Sequence, residues 1–221
     1  LMAMSKSEQA AVREAAIQVL ARTGDASATG ALLDAALGEE VAAQAAKEGL
    51  ASLAGAEVDA AIVARLAGAD AKAKAVLFGL VGTRRIAAAS DTVRQALSDA
   101  DETVRLAALP ALAQLLDLKD LDLLTRRAFA AGDAPEKTAA REALSVAARR
   151  MPDRDACAAK LAENLRGASG DDVKFVFDLL GSVSGTKALE IVMDHAKSES
   201  PAVKDEATRV LGEWPNPDAA P

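Results

Sequence analysis

Aromatic residues are scarce in this chain. Tyr is absent, Trp occurs once and Phe four times, 2% of 221 residues in all. Aromatic side chains bury the most area per residue, so few large groups are on hand to fill one thick core. Burial has to be spread over many thin contacts. Cysteine occurs once, at Cys157, which excludes an intrachain disulfide or a cysteine-based metal cluster. Histidine also occurs once, at His195, whereas a metal centre needs several convergent ligands. No metal and no cofactor is expected. No apolar run reaches the ~20 residues that a membrane helix needs, so no membrane partner is expected. The opening LMAMSKSEQAA lacks the apolar centre of a signal peptide. Basic charge is not concentrated: residues 1–100 carry 10 basic and 12 acidic groups, and residues 101–221 carry 16 and 21, for a net charge of −7. That distribution offers no footprint for a phosphate backbone, so nucleic acid is not expected as a partner.

What the chain has in quantity is alanine, about a quarter of its residues, which forms helices at no cost in side-chain entropy. The stretch DADETVRLAALPALAQLL (99–116) shows how it is used. With Val104 as anchor, the positions +3, +4, +7 and +8 are Ala107, Ala108, Ala111 and Leu112. The same offsets from Val12, Ala42, Ala73, Glu136, Asp172 and Val203 again give small or apolar residues, Glu206 being the one exception. Seven copies, 30 to 36 residues apart, form an internal repeat. Offsets of 3, 4, 7 and 8 share one helix face. A second apolar segment lies between successive copies, for example AEVDAAIVARL (56–66) and TKALEIVMDHA (186–196), each about three helical turns long. Boundary signals fall at the junctions. Ser200-Pro201 starts a helix with Pro at its first position, Asp133-x-x-Glu136 resembles a capping box, and Gly24, Gly55, Gly82, Gly132 and Gly185 lie near helix ends. No β-branched alternation persists. The pattern predicts an all-α chain of about 13 helices, a solenoid of stacked helix–turn–helix units with a period of about 31 residues. One array is expected over residues 8–213. Residues 1–7 read as a disordered or appended segment, and 214–221 as a polar, Pro-rich tail in which Trp214 covers the end of the core.

The segments DADETVRLAALPAL, ESPAVKDEATRVLG and VREAAIQVLARTG resemble bacterial HEAT repeats: a turn Asp, then Val-Arg, a small pair, and Ala-Leu-Gly. The resemblance spans about residues 8 to 213 and is weakest around Asp172. It implies a curved solenoid whose second helices line a concave face, with a binding or scaffold role. Fold and function are separable, so it names no partner.

Basic residues recur after the anchors at Lys74, Arg105 and Lys137, and acidic residues three positions before them at Asp70, Asp101 and Asp133. The resemblance implies a ladder in which turn acids and helix bases stitch neighbouring units together. As exposed pairs, each would contribute roughly 0–1 kcal/mol.

Catalytic chemistry finds little support. His195 has no His-Glu partner pattern of the kind used by HEAT-like metal hydroxylases, and it reads as a half-exposed histidine near a helix C-terminus. Cys157 reads as a buried small residue rather than a nucleophile. The loop RGASGDD (166–172) lacks the Lys and Ser/Thr of a phosphate loop, and Asp171 and Asp172 would repel phosphate. Pro110 interrupts a helical pattern and is expected to kink it.

The off-core positions +2 and +5 are more informative. They are mostly polar in the end copies, as at Glu14, Gln44 and Asp205, and apolar nearer the middle at Phe78, Leu106 and Leu109, with Phe177 further on. An apolar patch with a polar rim suits a partner-binding surface. The expectation is therefore a monomeric, non-enzymatic module that binds a protein or peptide partner on its concave face, as part of a larger protein. The alternative is a HEAT-like lyase or enzyme-associated subunit acting on a cofactor-bearing protein.

Overall fold

The computed structural model describes residues 1–38, 41–130 and 134–214, without the side chain of Ala134. Among these residues there are thirteen α-helices and no strand. The chain divides into two compact units, Leu1–Leu115 and Leu116–Pro221, where the sequence suggests one array over 8–213.

Unit 1 contains α1 (Ala10–Thr23), α2 (Thr29–Leu37), α3 (Ala43–Ser52), α4 (Ala56–Leu66), α5 (Ala71–Arg84), α6 (Ser90–Ala96) and α7 (Glu102–Leu115). The anchors fall on or beside α1, α3, α5 and α7, the second helix of each pair, and these four pack in sequence, α1 on α3, α3 on α5, α5 on α7. Met4–Lys6, placed by the sequence in a disordered segment, form a 3-10 turn against α1. Unit 2 contains α8 (Leu121–Ala128), α9 (Ala134–Arg150), α10 (Arg154–Ala162), α11 (Asp171–Val183), α12 (Thr186–His195) and α13 (Pro201–Gly212). Here α9, α11 and α13 are the second helices, α11 packing on both others, and α10 packs on α12.

The repeat is visible in burial. The +4 residue is buried in all seven copies: Ala16, Ala46, Leu77, Ala108, Ala140, Val176 and Ala207. The +3 residue is buried in none. The +5 residues Ile17, Phe78, Leu109 and Phe177 are buried instead. The reason is angular. At ~100° per residue, +7, +4, +8 and +5 span an arc from about 340° through 40° and 80° to 140°, and +3 falls outside it at about 300°. The arc is wide because a middle second helix such as α5 packs on several sides, against α7, α4 and α3 and less closely against α2.

Small residues set how closely the helices approach. A Cβ on Gly49 would lie 2.6 Å from the Ala21 Cα, and one on Gly82 would lie 3.0 Å from the Ala111 Cα. Alanine-rich pairing thus replaces aromatic filling, and the thin contacts read from the composition are helix backbones in near contact. Pro201 opens α13 as its sequence implies. Gly55 and Gly185 precede α4 and α12 with φ of 123° and 92°, which side chains rarely adopt. The C-terminal cap of α5 falls on Arg85, left-handed at φ 54°, and not on Gly82, which serves the close approach to α7.

Candidate functional site

The residues turned away from the buried arc form one strip per second helix, at +2, +3, +6 and +10. On α1 and α3 its long members are polar: Glu14, Gln18 and Arg22, then Gln44 and Glu48. On α5 it is Ala75, Val76, Gly79 and Thr83, and on α7 Leu106, Ala107, Pro110 and Gln114. Between α3 and α5 the strips border a shallow groove of about 390 Å³. Its α3 wall carries Gln44, Lys47 and Glu48, and its α5 wall Val76, Gly79 and Thr83. Gln44 Nε2 donates to Glu48 Oε1 (2.8 Å), which satisfies part of the polar wall internally. The Thr83 hydroxyl donates to the Gly79 carbonyl (2.9 Å), so its donor is already used on its own helix. Nothing lies within 4 Å of the position a Gly79 Cβ would take, so the α5 wall is open. Small apolar groups facing a polar wall can take a peptide segment or a helix edge.

The four residues expected at a partner surface are placed as follows. Phe78, Leu109 and Phe177 are core residues, at 1%, 0% and 0% exposure. They occupy +5, inside the wide arc, so a partner cannot reach them in the folded chain. Leu106, at +2, is half-exposed and lies on the α7 strip. The trend from polar to apolar holds, but through Val76, Gly79, Leu106 and Pro110. The +2, +3 and +6 positions carry it, and +3, which the periodicity assigns to the core, faces outward.

In the inter-repeat ladder Lys74 and Lys137 pair with acids other than Asp70, Asp101 and Asp133. Asp70 is the N-cap of α5, accepting from the Ala73 N–H (2.8 Å), and Asp101 accepts from the Thr103 N–H (2.8 Å). Both carboxylates thus terminate backbone donors at helix starts. Lys74 reaches Asp99 (3.0 Å), two residues before Asp101. The Asp99 carboxyl is held below the usual carboxylate range, first by the Asp101 N–H and then by Lys74. Arg105 donates to the backbone carbonyls of Asp99 (3.0 Å) and Ala100 (3.1 Å). Lys137 pairs with Asp172 (3.2 Å), which Arg141 also contacts. Asp133 lies outside the described residues. Further links at one repeat's distance, Arg65–Asp34 and Arg209–Asp178, were not anticipated.

The most buried of these cations is Arg84, whose side chain is 8% exposed. From the end of α5 it donates to the carbonyls of Leu50 (2.6 Å) and Leu53 (2.5 Å) at the end of α3. It also donates to Asp59 of α4 (2.6 Å). One guanidinium thus closes the C-terminus of α3 and ties together α3, α4 and α5, of which α3 and α5 form the groove. Its sequence signal is an Arg in the last turn, two residues after the close-approach glycine.

His195 ends α12, half-buried, with Nδ1 2.7 Å from the Ile191 carbonyl. Its ring meets Phe177 edge-on at 6.0 Å. Cys157 is buried, and burial, followed by the charge of Asp153, pushes its thiol up to about 11. Among the described residues no group of three or more His, Cys, Asp or Glu could hold a metal, and no helix is long and apolar enough to cross a membrane.

No family model matches this chain, and no curated protein matches it in sequence. Solved structures do match. One is from the complex of CpcE and CpcF of phycocyanin lyase from Nostoc sp. PCC7120: 16% identity over 97% of this chain and 86% of that one, with a TM-score of 0.51. The fold is a HEAT-like helical repeat. Two engineered proteins also match, each at 18% identity over 96% of this chain, with TM-scores of 0.45 and 0.46 over 94% and 66% of their own lengths.

Proposed function

We propose that the chain is a protein-binding module that holds its partner on the second helices of unit 1. The observation that carries this reading is the change in character of the outward strip. It is polar on α1 and α3, and small and apolar on α5 and α7, beside an open groove with a polar far wall. Apolar surface next to a polar rim favours association, and interface energy concentrates in a few central anchors. Val76 and Leu106 fill that role here, and Gly79 leaves room for a partner's backbone or side chain between them.

The test compares proteins captured from native lysate by the wild-type chain and by Val76→Glu and Gly79→Arg. Both positions face outward, so both variants are expected to stay folded, melting no lower than wild type, and to lose the captured protein. Equal capture by all three, with unchanged melting, refutes the assignment.

A second reading rests on the likeness to the phycocyanin lyase complex, which is one of fold. In it the same surface serves an enzyme-associated subunit working on a cofactor-bearing protein. Visible absorbance in the captured partner would favour that reading, and a colourless partner the simpler one.

A further inference from the structure

Unit 2 carries a groove of about 580 Å³ whose chemistry differs from that of the α3–α5 groove. Its apolar side is built from Ala159 and Ala162 of α10, Leu165 of the following 3-10 turn, Ile191 of α12 and Val203 of α13. Around it stand Arg166, Lys187 and His195, with Glu163 and Ser198. We propose that this groove is a binding site for a small organic anion with an apolar body.

Arg166 is the principal anchor. It is exposed, and among the described residues its guanidinium has no partner, although four other arginines contact the carboxylates of neighbouring helices. A planar, permanently charged fork suits a carboxylate or phosphate bidentately. The backbone fixes where it stands: the Arg166 N–H closes the 3-10 turn on the Glu163 carbonyl (3.4 Å), and Gly167 turns the chain at φ 79°.

His195 is a second fixed wall. A carbonyl only accepts, so the 2.7 Å contact with Ile191 puts the ring proton on Nδ1; Nε2 is then an acceptor, and the ring serves the site as a wall for the apolar body, not as a donor to the anion. The edge contact with Phe177 holds the ring plane. Lys187 is engaged with Glu190 (3.1 Å) in an exposed pair within one helix, an interaction readily exchanged for a ligand anion. Glu163 is the one carboxylate of the lining and opposes an anion beside Arg166. The volume lies in the range of small-molecule sites, and an apolar floor with a few convergent polar groups is their usual composition. The apolar side selects against free inorganic anions, and Arg166 selects against neutral amphiphiles.

The single histidine makes the test specific, because its ring signals in a proton NMR spectrum need no assignment. Decanoate, kept below its micelle concentration, is titrated into the full chain beside decanol and inorganic phosphate. Decanoate is expected to shift the His195 ring signals saturably, and decanol and phosphate to bind at least about tenfold more weakly. Arg166→Gln is expected to weaken decanoate about tenfold or more. Glu163→Gln is expected to tighten it, a gain that no unfolding of a variant could mimic. The proposal is overturned if decanoate gives no saturable shift, if Arg166→Gln binds it as well as wild type, or if decanol matches it. Phosphate binding equally well would mean an adventitious ion only.

Discussion

Replacing Arg84 by Met keeps most of the stem and removes the guanidinium. Three charge-assisted hydrogen bonds go with it, to Asp59 and to the Leu50 and Leu53 carbonyls. Each such bond contributes ~1.5–3 kcal/mol. The full sum is not expected, because Asp59 is 36% exposed and can rehydrate once its partner is gone. The carbonyls at the end of α3 regain water only if the helix end opens. A net loss of ~3 kcal/mol is the expected result, toward the lower end for breaking a buried pair. At ~2–4 °C per kcal/mol for chains of this size, the melting temperature falls by about 6–12 °C. The control is Arg65→Met, which breaks a pair whose side chains are 49% and 67% exposed, and there the loss is expected at ~1 kcal/mol or less. Urea titration of both variants gives the comparison. Hydrogen exchange locates it, because the Leu53 N–H donates to the Gly49 carbonyl (2.9 Å) and should lose protection in Arg84→Met alone. If the two variants are destabilised equally, Arg84 does not close α3 and the reasoning fails.

Ser184 sits at φ 55° and ψ −167°, a region almost confined to glycine, so Ser184→Gly is expected to stabilise unit 2 by ~1 kcal/mol, read as a higher urea midpoint. Gly49→Ala would drive a methyl against the Ala21 backbone and should cost ~1–3 kcal/mol. Gly79→Ala, with open space and helical backbone, should gain ~0.5–1 kcal/mol in the same assay. With its thiol near 11, Cys157 holds roughly one thiolate in three thousand at pH 7.5, against about one in ten for an ordinary thiol. Iodoacetamide labelling should be correspondingly slow in the folded protein and speed up in urea, and equal rates in both states would contradict its burial.

The fold was legible because helices and repeats are written in local periodicity. Every +4 position identified from the sequence is buried, and the anchors fall on or beside alternate helices. The faces were less legible. A template drawn for a helix with one contact face puts +3 inside and +5 outside. A stacked helix has neighbours on several sides, and its buried arc is wider and turned toward +5, which places Phe78, Leu109 and Phe177 in the core. The ladder shows a different limit. Lys74 was legible as a base, but whether it meets Asp101 or Asp99 depends on how the turn between α6 and α7 presents each carboxylate, and that is a three-dimensional matter. Arg84 is marked in the sequence only as an Arg in a last turn; its partners, Asp59 and two backbone carbonyls 25 to 34 residues away, carry no local signal.

The central claim is that a protein partner sits on the outward strip of α5 and α7. A photo-crosslinking residue placed at Gly79 or Leu106, and for comparison at the exposed Ala64 of α4, tests it directly in native lysate. One and the same protein is expected to crosslink from positions 79 and 106 and none from position 64. A crosslink from position 64 alone, or equal crosslinking from all three, would contradict it.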